Sequence, residues 1–409
     1  MSGRSPPGRR ALPVAVALAA LAASAGAAAA QQPVTREQVV AAALARGPRV
    51  ALAAPDTAAA RAQVITAREF QNPTVSAAYS KDVPQYHAAV DLPLDLPWLR
   101  SARIRVASEA RSSARLRFAF ERAGARFDAE QAYSAALAAA ARARLSRRNA
   151  LDADSLLRMA MLRRDAGDAS ELDVQLSTVN AGQLANEAAG DSADALTALL
   201  EVQLVMGLPS DRVSIALADT LAAPAGDTAA GPGPSLRVLA AEASARSADA
   251  AVALAHRSVL LSPSLTLGFD SHDPTGAETG LLPTFGLALT FPLLNFNGGA
   301  IAAAAAQRDL ARVELEVARR ESDAAVAQAR RDLAVATAKV ARDRALITSA
   351  DRVAAMSLTA YAEGAVALPS VLEAQRQARE ALGHLIDDLA AANAAASAVR
   401  LFTATESTP

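Results

Sequence analysis

The sequence predicts a mainly α protein with a small β part, written twice along the chain around long antiparallel helical hairpins. Three observations carry that prediction: a composition suited to helices in close contact, an ordered internal repeat, and two stretches of about 65 residues without an internal proline. Of the 409 residues, 52% are hydrophobic but only 3% aromatic, and there is no cysteine. Aromatic side chains normally fill much of a globular core, whereas alanine has the highest helix propensity and lets backbones approach. The lack of thiols excludes a disulfide framework, a thiolate metal site and a cysteine nucleophile. With 41 basic residues against 42 acidic ones, no field for a polyanion arises, so nucleic acid is not an expected partner.

The repeat rests on three anchors in the same order. Asn72-Pro73-Thr74-Val75-Ser76 returns as Ser262-Pro263-Ser264-Leu265-Thr266, and Leu96-Pro97-Trp98-Leu99 returns as Phe291-Pro292-Leu293-Leu294. Arg164-Asp165-Ala166-Gly167 with Asp173-Val174 returns as Tyr361-Ala362-Glu363-Gly364 with Ser370-Val371. The offsets, 190, 195 and 197 residues, drift slowly, as a duplication with small insertions would. The expected division is a first repeat over 31–209, a linker over 210–234 and a second repeat over 235–409.

Each copy holds two strand candidates, at about 73–80 and 87–97 and at about 264–270 and 283–291. Leu265, Leu267 and Phe269 alternate with Thr266, Gly268 and Asp270, and Val90, Leu92, Leu94 and Leu96 alternate with Asp91 and Asp95. Period two puts one set on each face of a sheet. A half-buried soluble sheet is the plain reading of one such hairpin. Four strands of roughly the length that crosses a bilayer at a tilt, with small or polar residues opposite, fit a membrane barrel better. Eight of the fourteen aromatic residues, among them Phe70, Tyr79, Trp98 and Phe296, lie in or beside these strands, where interfacial girdles sit. Asp91, Asp95 and Asp270 would face the lumen. Four strands cannot close, since the smallest barrels need about eight; three chains would supply twelve, which implies a homotrimer.

Long helices are expected at about 100–165 and 299–362, each about 95 to 100 Å at 1.5 Å per residue. The second carries a heptad-like series, Leu310, Val313, Val317, Val326, Leu333 and Val340. Both run into a glycine, Gly167 or Gly364, after which a helix of half the length returns, at about 170–206 and 369–402. Ser170 with Asp173 makes a capping box, and Pro369 suits a first helical turn. Further half-length helices at about 35–71 and 236–261 supply the missing length. Between the copies, 208–234 is rich in proline and glycine and reads as a surface linker. Residues 1–30 read as a signal peptide, with Arg9-Arg10, an apolar stretch and cleavage after Ala30. No later stretch is long and apolar enough for a transmembrane helix.

This constellation resembles the TolC-type outer membrane efflux family, the best local match being Tyr361-Ala362-Glu363-Gly364 followed by Val371-Leu372-Glu373-Ala374-Gln375. The resemblance implies a trimeric, twelve-stranded barrel in the outer membrane continued by a periplasmic α-barrel, with a periplasmic adaptor meeting the tips at Gly167 and Gly364. It implies a passive duct serving an inner membrane pump of RND or ABC type. It also implies a closing bond between Tyr361 and Asp173, although the basic residue often found two after the second glycine is Val366 here. Glu373 matches one acidic constriction position. The alternative class is a soluble periplasmic coiled-coil adaptor or structural protein. No cofactor, metal or catalytic constellation is expected: His87, His256, His272 and His384 are scattered, and neither a phosphate-binding loop nor a nucleophile elbow is present.

Overall fold

The computed structural model describes residues 32–224, 233–259, 263–271, 280–289, 292 and 294–405. The expected signal peptide at 1–30 lies outside these residues, as do His272, Phe291 and part of the expected linker. The chain runs β1 (Gln32–Val34), α1 (Arg36–Arg46), α2 (Pro48–Arg68), β2 (Thr74–Tyr79), β3 (Tyr86–Pro93), α3 (Pro97–Asp165) and α4 (Glu171–Val205). It continues with β4 (Ile215–Leu217), α5 (Leu236–Arg257), β5 (Ser264–Ser271), β6 (Leu282–Ala288), α6 (Gly298–Ala362) and α7 (Leu368–Phe402).

Two helices set the dimensions. With 69 and 65 residues, α3 and α6 each run about 100 Å. The shorter helices pack beside them in two tiers. In the tier nearer the four-stranded sheet the order is α2, α3, α5, α6; in the tier nearer the glycine turns it is α4, α3, α7, α6. The result is a single-layer wall in which α5 and α7 hold the long helices apart.

Small side chains make this close packing possible. Ala129, Ala136, Ala160 and Ala243 are fully buried, and the residues of α6 buried in this packing are Ala311, Ala318, Ser322, Ala329, Ala336, Val340 and Tyr361. The expected heptad series of larger residues does not carry this contact: Leu310, Val313 and Val317 are exposed, and only Val340 of the six is buried. Gly124 has a similar role within α3. A Cβ there would fall 2.3 Å from the guanidinium of Arg49, which crosses from α2 to pair with Glu121 at 2.7 Å and Asp128 at 3.0 Å.

Where the tiers meet, the structure departs from the expected linker. Residues 215–217 form β4, paired in parallel with β1, and three buried polar side chains fasten the surrounding segment. Gln203 donates to the carbonyls of Pro209 and Arg212 and accepts from the Ser214 N–H. The Tyr133 hydroxyl lies 2.9 Å from both the Val34 carbonyl and the Asp219 carboxylate. Asn393 donates to the Ala222 carbonyl at 2.8 Å. Burial first, then the Asp219 contact, pushes the Tyr133 phenol up to about 12.

Candidate functional site

Three places carry the function-bearing residues: the sheet, the two turns, and α7 beyond the second turn.

The sheet has order β2-β3-β5-β6, all antiparallel. Its register places Thr74, Asp91, Thr266 and Gly286 side by side, and Ala78, His87, Asp270 and Leu282 in another row. One face is therefore small and polar, carrying Asp91 and Asp270. Asp91 accepts from Thr266; Asp270 lies 2.8 Å from His87 Nδ1 and accepts from Thr284 at 2.9 Å. The other face carries Val75, Tyr79, Tyr86, Leu267, Phe269, Phe285 and Leu287, all exposed. Tyr79 and Tyr86 pack at 5.4 Å at the end with the β2–β3 turn, and Phe70, Trp98 and Phe296 lie exposed at the end that meets the helices. Both edge strands, β2 and β6, lack a partner on their outer side among the described residues.

Asp95 departs from the lumen position expected for it. The second strand ends at Pro93, short of the expected 97. Beyond it the Asp95 side chain is only 4% exposed, held by Arg103 at 2.7 Å and Arg100 at 3.6 Å. Proline at 93 and 97 removes ladder donors, so the strand stops and the carboxylate turns to the first turns of α3.

Both turns are Schellman motifs with glycine in the left-handed region, Gly167 at φ 86° and Gly364 at φ 78°. The Asp168 N–H donates to the Arg163 carbonyl and the Ala365 N–H to the Ala360 carbonyl, each at 2.8 Å. The tyrosine–aspartate bond implied for the tips is not formed within the chain. Asp173 instead caps α4, accepting from the Ser170 N–H and hydroxyl at 3.1 and 3.0 Å. Tyr361 is buried among Leu156, Leu368 and Val371, and its hydroxyl makes no hydrogen bond.

Its neighbour is Arg163, which sequence reading missed. The guanidinium lies 4.6 Å from the Tyr361 ring centroid, donates to the Tyr361 carbonyl at 2.5 Å and reaches the Asp168 carbonyl at 3.3 Å. One side chain thus touches both turns. Burial raises the Tyr361 phenol above its ordinary value, Arg163 opposes the rise and the nearby Asp173 adds to it. Spacing from the glycines could not reveal Arg163, because its partner lies 198 residues away.

Glu373, on the exposed face of α7, does not stand alone. Arg376 donates to it at 2.7 and 3.0 Å and Gln377 at 2.8 Å, which holds its carboxyl below the ordinary value. Arg376 also binds Glu380 at 2.5 Å, so the group carries one net negative charge per chain. Among the described residues no cluster of acidic and histidine side chains is arranged to hold a metal ion, and no helix is long and apolar enough to cross a membrane.

A one-layer wall of long helices capped by a four-stranded sheet with one apolar face defines a class: the duplicated-hairpin fold. No protein-family model and no curated protein matches the sequence. Solved structures do. A membrane protein from Pseudomonas aeruginosa superposes with a TM-score of 0.79 at 20% identity, over 90% of this chain and 93% of that one. The Campylobacter jejuni CmeC outer membrane channel gives 0.78 at 14%, over 90% and 85%. The outer membrane protein VceC from Vibrio cholerae gives 0.78 at 14%, over 90% and 95%. At these identities the likeness establishes the fold: this chain has the TolC-like fold of outer membrane channels over nearly its whole described length.

Proposed function

We propose that the chain is an outer membrane exit duct, a homotrimer that passively conducts solutes or polypeptide from an inner membrane pump and a periplasmic adaptor to the outside. The observation that carries this is the sheet. Its exposed apolar face suits lipid, its small polar face suits a hydrated lumen, and its two open edges need strands from other chains. Three copies supply twelve strands. A soluble protein gains nothing from leaving Val75, Phe285 and Leu287 in water, which weighs against a periplasmic coiled-coil protein. The known outer membrane channels of this fold support the same reading.

The helical wall is one third of a tunnel in this scheme. Its free edge, α6, exposes Leu310, Val313, Val317, Val335, Leu346 and Val353, an apolar stripe suited to the neighbouring copy. The two halves, 31–209 and 235–409, are copies of one unit, a reading supported by the same order of strand pair, long helix, glycine turn and return helix in both. In this scheme the tips at Gly167 and Gly364 meet the adaptor. Arg163 and Tyr361, with Asp173 beside them, form the tip latch, Arg163 supplying the positive charge that Val366 lacks. Glu373, with Arg376 and Glu380, forms the acidic constriction, Asp91 and Asp270 line the barrel, and conduction needs neither catalysis nor cofactor.

Extraction is the first test. The protein should stay with outer membranes through carbonate and high salt and leave only with detergent; release without detergent would sink the duct reading. For the latch, Arg163→Gln should raise the conductance of purified trimers in planar bilayers severalfold, while an unchanged conductance would remove Arg163 from the gate.

A further inference from the structure

Between the Gly364 turn and the waist, α7 is tied to both helices that flank it. Asp387 pairs with Arg142 of α3, and the next residue, Asp388, meets Lys339 of α6 at 3.5 Å. On its inward face α6 presents a stripe of small side chains: Ser322, Ala329 and Ala336 recur every seven residues and all are buried. The next position in that series is Asp343. One turn earlier, Val340 packs with Ala336 against Leu389 and Ala392 of α7, so Asp343 enters the same seam. Its Oδ2 is buried and accepts no hydrogen bond, and the group it faces is the Asp388 carboxyl.

The carboxylates at this level are unequally partnered. Of the three carboxylates, Asp387 has Arg142 and Asp388 has Lys339. Among the described residues, the cations acting on Asp343 are His384 of α7 and Arg342 of its own helix, both through space without a hydrogen bond. Two carboxylates in contact cannot both ionise at low cost, and one proton held between them closes the contact with a charge-assisted hydrogen bond.

We propose that Asp343 and Asp388 share one proton across the α6–α7 seam, and that losing it loosens the second hairpin, making the seam a pH-sensitive latch about 30 Å from the Gly364 turn. Burial and the Asp388 carboxyl push the Asp343 carboxyl above its ordinary value, while His384 and Arg342 oppose that as smaller effects. The sign follows from the raised direction. A carboxyl raised on folding stabilises the packed state while it is protonated, so the contribution is present at low pH and disappears as pH climbs through the shifted value.

Hydrogen–deuterium exchange on the full-length protein in detergent, corrected for intrinsic exchange rates, tests this in steps from about pH 4 to about pH 8, above the ordinary aspartate value of about 3.9. Peptides covering 336–346 and 382–392 should lose protection about tenfold as pH rises, while peptides from α4 hold theirs. Asp343→Asn, whose amide donates to Asp388 at every pH, should abolish the pH dependence. So should Asp343→Ala, which restores the small side chain of the stripe. A wild-type profile that stays flat or gains protection with pH, or one that Asp343→Asn leaves unchanged, would overturn the proposal. The readout is local packing, so it stands or fails independently of whether the chain conducts.

Discussion

The two hairpins share a turn geometry but differ in how much of each is finished by the chain itself. In the first, α3 buries seventeen residues along its length; in the second, α6, almost as long, buries seven. The difference is one of position. α3 lies in the middle of both tiers with neighbours on each side, including the Glu130 carboxylate bonded to Arg400 of α7 at 2.5 Å, whereas α6 has α5 and α7 on one side only. Its other side shows large apolar residues to solvent. A helix completed by its own chain is stabilised in the protomer, and in the proposed trimer a helix left half-bare gains its remaining burial on assembly.

Substitutions can break or sharpen that contrast. The largest loss should come from α3: Tyr133→Ala empties a fully buried site and should cost about 3 to 5 kcal/mol in chemical denaturation. Tyr133→Phe keeps the shape but removes the titrating group. Since the phenol is raised to about 12, it stabilises the fold below its unfolded value near 10 and the contribution is lost as pH rises through 12. The Phe variant should lack that alkaline loss. On α6 the expected effect moves from folding to assembly. Val313→Glu combined with Val335→Glu, at exposed positions, should leave the helix content intact and remove the trimer, as seen by light scattering in detergent; a trimer that persists would mean the contrast has another cause.

Smaller effects separate the return helices. α4 starts with a full capping box at Ser170 and Asp173, while α7 starts at Ala367 with no side-chain cap and relies on Pro369 and the buried Leu368 and Val371. Ser170→Ala should therefore cost about 1 kcal/mol, and Ala367→Ser should gain about half that. No change in either variant would show that the tips are held by side-chain packing alone.

What could be read from the sequence, and what could not, follows physical lines. The period-two strands were legible because apolar and polar residues contrast at every step, and the register sets Asp91 and Asp270 on the face opposite Val75 and Phe285. The seam of α6 was not legible. Where nearly every position is alanine there is no contrast to reveal a period, so the eye falls on Leu310, Val313 and Val317, which face away from the chain's own helices. β4, with three residues, is too short to show alternation, and only its pairing with β1 defines it. The ends of strands depend on partners as well. Asp95 has the right parity for the lumen, yet two prolines stop the ladder and two arginines on α3 claim the carboxylate. Arg163 illustrates the general limit: a contact between the two turns is invisible until the hairpins are set side by side.

The three fastenings at the waist, Tyr133, Gln203 and Asn393, give the tier nearer the glycine turns a fulcrum. From Tyr133 to Gly167 is 34 residues of almost continuous helix, a lever arm of about 50 Å. A tilt of about 5° at such a collar moves the tip by about 4 Å over that arm. In the proposed duct, small adjustments among a few buried amides and hydroxyls would thus be enough to widen or narrow an opening at the far end, and the helices between need only stay stiff.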